Sequence, residues 1–133
     1  MTSESPDAKQ QFVAARAIDE LLRITIDPGG AGTAVALGAT PTNLVSIRER
    51  LSEWDSRKVH GQTLSFEEVG KSVGWLCGMS LAERGALVGI EHGRERTLHA
   101  GALILERFMN ALHVDACLVS CRGWRFALLD GEI

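Results

Sequence analysis

A chain of 133 residues, 45% hydrophobic and 23% charged with a formal net charge of −3, has the length of about one domain. This composition excludes a disordered tail. The lack of an apolar run of about 20 residues excludes a transmembrane helix, and the acidic balance argues against a dedicated DNA binder. Glycine is in excess, at 14 of 133 residues against a usual share of about 7%; scattered between apolar stretches, these glycines mark backbone sites rather than a flexible linker.

The opening MTSESPDAKQ shows no basic segment followed by an apolar one, so no secretory signal is read and the cytoplasm is the expected compartment. Residues 1–10 read as a polar, flexible lead and 11–133 as a single unit without internal repeat. Within QFVAARAIDELLR, Phe12, Ala15, Ile18, Leu21 and Leu22 recur at helical spacing. Ile24-Thr25-Ile26 is short and β-branched and reads as a strand, with Asp27 to Thr33 as the loop that ends it. Ala34 to Leu37 reads as the start of a helix that Gly38 and Pro41 interrupt, and a further helical pattern runs from about Asn43 to Trp54.

Two capping boxes follow, Ser65 with Glu68 and Ser80 with Glu83. The first helix buries Phe66, Val69, Val73 and Leu76, and its glycines at 70, 74 and 78 point to another backbone packed closely along that edge, with a ligand stripe as the alternative. The second runs from Ser80 to about Leu87. Beyond Gly93-Arg94, Leu98, Ala102, Leu105 and Leu112 form the stripe of the longest helix, and Asp115 to Ser120 reads as a strand covered on both faces. GWRFALLDG closes the chain as a short amphipathic piece. The whole reads as α/β, mostly helical with a short parallel sheet.

Chemistry is sparsely signalled. Cys77, Cys117 and Cys121 form no CxxC pair and read as structural thiols, and the dispersed histidines 60, 92, 99 and 113 offer no zinc spacing. The turn Gly29-Gly30-Ala31-Gly32-Thr33, read as preceding a helix, has either of two roles: a tight turn, or amides and a hydroxyl presented to an anion. It lacks the lysine of a P-loop and the spacing of a dinucleotide fingerprint. His60 reads as bonded to backbone or as a donor to phosphate, and the acidic residues 67, 68, 83, 91 and 95 read as caps or surface.

Several segments taken in order resemble the C-terminal part of the exopolyphosphatase and guanosine pentaphosphate phosphohydrolase family, the Ppx/GppA phosphatases, over about Ala15 to Ile133. Gly30-Ala31-Gly32-Thr33 is similar to the family's G-x-(A/G)-G-T turn, and Trp54-Asp55-Ser56-Arg57-Lys58-Val59-His60-Gly61 resembles its D-x-x-x-VHG segment. Met79 to Arg84 is similar to the helix start carrying "ER". Gly93-Arg94 with Ala100 to Leu105 resembles "GR…GA-x-iL", and Val119-Ser120 with Gly123-Trp124-Arg125 resembles "vS-x-x-G-x-R". A longer stretch between Thr33 and His60, Arg96 in place of a frequent acid, and Ala127 in place of a common glycine depart from the pattern.

The resemblance implies part of an actin-like, ribonuclease-H-like domain, corresponding to the C-terminal half of the family's second domain. It also implies hydrolysis of a phosphoanhydride in polyphosphate or pppGpp, with magnesium as cofactor and the catalytic glutamate in a first domain that this sequence does not show. On that reading Gly30, Gly32, Thr33 and Arg94 are the candidate phosphate or ligand contacts, Arg94 having a structural role as its alternative, and no catalytic residue is assigned. The chain then forms the far wall of a substrate cleft, with a homo-oligomer or a partner supplying the missing half. The alternative is a non-catalytic polyphosphate- or alarmone-binding module, or a protein-interaction module.

Overall fold

The structure, a computed structural model, describes residues 4–27, 29 and 32–130. Asp7 accepts from the Gln10 amide at 2.7 Å while the Gln10 side chain accepts from the Asp7 amide at 2.9 Å, a closed cap that starts helix α1, Ala8–Thr25. The strand expected over Ile24-Thr25-Ile26 is instead the end of this helix. The Thr25 hydroxyl donates to the Leu21 carbonyl at 2.7 Å, so a β-branched residue is held in helical geometry by its own side chain.

The loop after α1 leads into a strand, β1, Val35–Leu37, where a helix start was expected. Helix α2, Ala39–Arg48, begins and ends several residues earlier than its periodicity implied. A short α3, Ser56–Val59, carries the chain into β2, Thr63–Ser65, a strand too short to read in the polar sequence around it. Both capping boxes form, starting α4, Phe66–Gly78, and α5, Leu81–Gly85. A single 3-10 turn at Arg94–Arg96 precedes α6, Leu98–Ala111, then β3, Ala116–Ser120, and α7, Trp124–Asp130.

β3 is the central strand: β1 lies parallel to it, with Val35 opposite Leu118 and Ala36 opposite Val119, and β2 lies antiparallel on its other side. The sheet is therefore mixed rather than purely parallel. One face, with Leu64, Cys117 and Val119, is buried under α4 and α6, where Val69, Val73, Leu76, Leu98, Ala102 and Met109 complete the core. α1 packs against α6, where Arg107 holds Asp19 through two hydrogen bonds of 2.7 and 2.9 Å.

The glycines of α4 behave differently from expectation. A methyl group added at Gly74 or Gly78 would meet nothing within 4 Å, and one at Gly70 only the Glu106 carboxylate at 3.3 Å. No backbone packs along that stripe. The close approach lies in α6, where a Cβ on Gly101 would overlap the side chain of Thr40.

Arg84, 1% exposed, explains the "ER" segment: its guanidinium donates to the carbonyls of Leu76 at 3.1 Å, Met79 at 2.7 Å and Glu95 at 2.7 Å. A permanently charged donor is thus buried among the free carbonyls at the end of α4, which ties α4, α5 and the 3-10 turn together.

Candidate functional site at the carboxyl edge of the sheet

In an open sheet with parallel strands, the loops beyond the strands' carboxyl ends form the place where ligands gather. β1 and β3 end at Leu37 and Ser120, so this edge carries Gly38, Ala39 and Thr40 on one side and Cys121, Arg122 and Gly123 on the other. Gly38 has φ 94°, a left-handed region open to glycine, and caps α2 with no side-chain hydrogen bond. Among the described residues the first amides of α2 therefore have no side-chain acceptor, and they aim out of the helix start, where the partial positive charge of the helix also lies.

The first turn of α2 is fixed from within and from below. The Thr42 hydroxyl lies 3.0 Å from the Gly38 carbonyl and 3.2 Å from that of Ala39, and Asn43 Nδ2 donates to the Ala39 carbonyl at 2.8 Å. Gly101 of α6 abuts Thr40, which sets the depth of the turn against the core. At the neighbouring strand end, the Gly61 amide donates to the Val119 carbonyl at 2.8 Å and the Cys121 amide donates to His60 Nδ1 at 3.2 Å. His60 is thereby bonded to backbone, the first of its two readings. Arg122 lies over the Phe126 ring, 4.9 Å from its centre.

The candidate residues fall elsewhere. Gly30 lies outside the described residues. Gly32 and Thr33 are exposed in the connection from α1 to β1, at the amino end of that strand, and lead into a strand rather than a helix. Arg94, in the 3-10 turn, pairs with Glu91 at 3.2 Å. No hydrogen bond or ion pair among the described residues joins Arg94 to Gly32 or Thr33. The strand-to-helix turn expected at 29–33 is at Gly38–Thr40. Its signal was present: a glycine before a helix with proline inside the first turn is a start signature, whereas Gly38 and Pro41 read as interruptions.

The three thiols are free; Cys77 and Cys117 are buried, and burial pushes the thiol of each of the three above its ordinary value. That leaves them as poor nucleophiles. Among the described residues no group of three His, Cys, Asp or Glu side chains could hold a metal ion. The magnesium implied by the family resemblance thus finds no such three-ligand group among the described residues. No helix among the described residues is long and apolar enough to cross a membrane. With its amide donors in place, the edge can bind an anionic oxygen.

No family model matches the sequence, and no curated protein does. Solved structures do match. The Ppx/GppA phosphatase of Aquifex aeolicus superposes on 100% of this chain with a TM-score of 0.91 at 23% identity, the match covering 44% of that protein. An exopolyphosphatase-like protein matches over 98% of this chain with a TM-score of 0.86 at 26% identity, and an exopolyphosphatase of Cytophaga hutchinsonii over 99% with 0.76 at 17%. In both cases the match covers 45% of the other protein. The resemblance read from the sequence is thus present in the fold: all of this chain has the architecture of part of a Ppx/GppA phosphatase, a partial actin-like domain. The chain spans less than half the length of the structures it matches.

Proposed function

We propose that this chain forms one wall of a cleft in which a phosphoanhydride, of polyphosphate or of pppGpp, is bound and cleaved. The base that activates water and the remaining phosphate contacts come from further protein, either additional chain or a partner molecule. The observation that carries this reading is the uncapped start of α2 at the carboxyl edge of β1 and β3, within a fold shared over the whole chain with Ppx/GppA phosphatases.

The chemistry assigned to the chain is modest. Phosphoryl transfer spreads negative charge over equatorial oxygens, and fixed amide donors stabilise that charge without reorganising. The amides of Ala39 and Thr40 fill this role, held by Gly38 behind them and Gly101 beneath. Gly32, Thr33 and Arg94 are secondary candidates, reaching a polyanion only if it extends beyond this edge, and Gly30 is a candidate from the resemblance alone. Cytoplasmic polyphosphate and magnesium fit the reading and follow from the resemblance alone.

The test is calorimetry of inorganic polyphosphate with the chain. Ala39 occupies the first position of α2, where proline is tolerated and removes one amide donor. Ala39→Pro is expected to weaken binding about tenfold, the value of one charge-assisted hydrogen bond, with the melting temperature unchanged. Undiminished binding in Ala39→Pro combined with loss in Thr33→Ala would return the site to the earlier loop. Hydrolysis by the chain alone would overturn the assignment of the base to other protein.

A further inference from the structure

The pairing of β1 with β3 fixes which of its backbone groups remain free. The Leu118 amide donates to the Ala34 carbonyl at 2.9 Å, and Val35 and Ala36 lie opposite Leu118 and Val119. Alternation along the strand then points the amide and carbonyl of Ala36 at β3 and those of Val35 and Leu37 away from it. Among the described residues no strand lies on that outer side. Such a row of groups is a template for another strand.

Beside the same edge, between β1 and α6, runs a groove of about 420 Å³, lined among others by Ala36, Leu37, Ile104, Leu105, Phe108 and Leu112. No charged side chain among the described residues lines it, and Ile104 and Phe108 stand exposed along it. In a chain that is 23% charged, an uncharged groove next to a bare strand marks a surface that other protein covers. Covering it removes apolar area from water and buries no ionised group, so no charge-desolvation cost opposes it.

We propose that the occupant is a second copy of this chain, related by a twofold axis through Ala36, with the two β1 strands paired antiparallel. Under that axis Val35 lies opposite Leu37 of the second copy, and Leu37 opposite its Val35. Both are hydrogen-bonded pairs that exchange amide–carbonyl bonds in each direction, so every outward group of β1 is satisfied. An axis at Leu37 would instead leave Val35 without a strand partner, since residue 39 already belongs to α2. Ala36 faces Ala36 as the non-hydrogen-bonded pair, with Cα atoms about 4.5 Å apart. Alanine is small, so the two grooves open into one another over this pair, and Ile104 and Phe108 of both copies meet there. The contact is the same patch on each copy, and association therefore closes at the dimer. Antiparallel pairing turns the two carboxyl edges in opposite directions, so neither copy supplies the missing wall of the other's cleft. The inference thus goes beyond the hydrolytic reading and stands or falls apart from polyphosphate binding.

The experiment is disulfide trapping of the 133-residue chain in a Cys121→Ser background, where the remaining native thiols are buried. Mild oxidation of Ala36→Cys at micromolar concentration is expected to give a covalent dimer on non-reducing gels. Val35→Cys is expected to cross-link at least about tenfold more slowly although Val35 is the more exposed residue, because its two copies sit diagonally across the axis, beyond the reach of about 7 Å between Cα atoms that a disulfide spans. Phe108→Asp puts a charge into the joined groove and is expected to raise the dimer dissociation constant at least about tenfold in sedimentation equilibrium, with an unchanged circular dichroism spectrum. Equal cross-linking of Ala36→Cys and Val35→Cys would indicate random collision and overturn the twofold pairing. Self-association without a covalent dimer from Ala36→Cys overturns it as well, by placing the contact elsewhere. A chain that stays monomeric at 36 and 108 alike, in parent and variants, overturns the second copy as occupant and leaves the edge to a strand from another protein.

Discussion

Two glycines of similar sequence context have opposite roles. Gly101 sits where a methyl group would strike Thr40, whereas Gly74 faces open space in the middle of α4. Gly101→Ala is therefore expected to destabilise by about 1–3 kcal/mol, the usual cost of forcing extra volume into a packed contact. Adding Thr40→Ala removes the hydroxyl and methyl that the new Cβ meets, and the double variant is expected to recover most of the loss. Urea unfolding of the four members of the cycle measures this coupling, and strict additivity would show that the contact with Thr40 is not the cause. Gly74→Ala is expected to stabilise by about 0.5–1 kcal/mol, because alanine is the better helix former and nothing must move. A loss of stability there would reveal a neighbour that the packing of α4 does not contain. No sequence pattern separates the two sites, since both are glycines in amphipathic helices and only the partner across the gap differs.

Elements whose signals are local were legible, and those that depend on distant pairing were not. The starts of α4 and α5 follow from serine and glutamate three residues apart, and α6 and β3 from apolar periodicity and an apolar run. β1 is held by β3, more than 80 residues away, and Ala-Val-Ala-Leu contains nothing local that favours strand over helix. The misplaced turn of the candidate site has the same origin, for once Ile24 to Ile26 reads as a strand the following glycines become the strand-to-helix turn. The capping box of α4 also makes a prediction about pH. The Ser65 amide donating to the Glu68 carboxylate, helped by the Ser65 hydroxyl and by Arg48, holds that carboxyl below its ordinary value against the opposing effect of burial. A carboxyl with a depressed folded pKa contributes its stability above the ordinary glutamate range and loses it as pH falls through the folded value. Glu68→Gln keeps an acceptor for the Ser65 amide but no longer titrates. Urea midpoints measured from neutral pH downward should therefore fall less steeply in the variant, the two curves converging in acid. Parallel curves would place the acid sensitivity elsewhere, with Glu83 of α5 as the next group, since the Ser80 amide lowers it in the same way.

At the scale of the molecule, the sheet has one finished face and one unfinished one. Alternation along β1 and β3 sends Ala36, Cys117 and Val119 towards the helices and leaves Val35, Leu37 and Leu118 on the opposite side, 55%, 52% and 39% exposed. Among the described residues β1 is also an edge strand, paired with β3 alone, so an apolar surface and a row of unpaired backbone groups meet along one line. Such an edge templates further strand pairing unless it is charged, covered or twisted away, and neither side chain on it carries a charge. The solved structures that share this fold are more than twice as long as the match, which agrees with a surface made to be covered by more protein. The 133-residue chain by itself is accordingly expected to associate with copies of itself, in sedimentation equilibrium at micromolar concentrations, despite a net charge of −3 that opposes it. Val35→Lys with Leu37→Lys puts charge on both the edge and the bare face at positions already half in solvent. The pair is expected to return the chain to a monomer with little change in melting temperature, since neither side chain fills the core. A monomeric parent chain would mean that the edge is protected by its own short length, and the surface would then lose its claim to a partner.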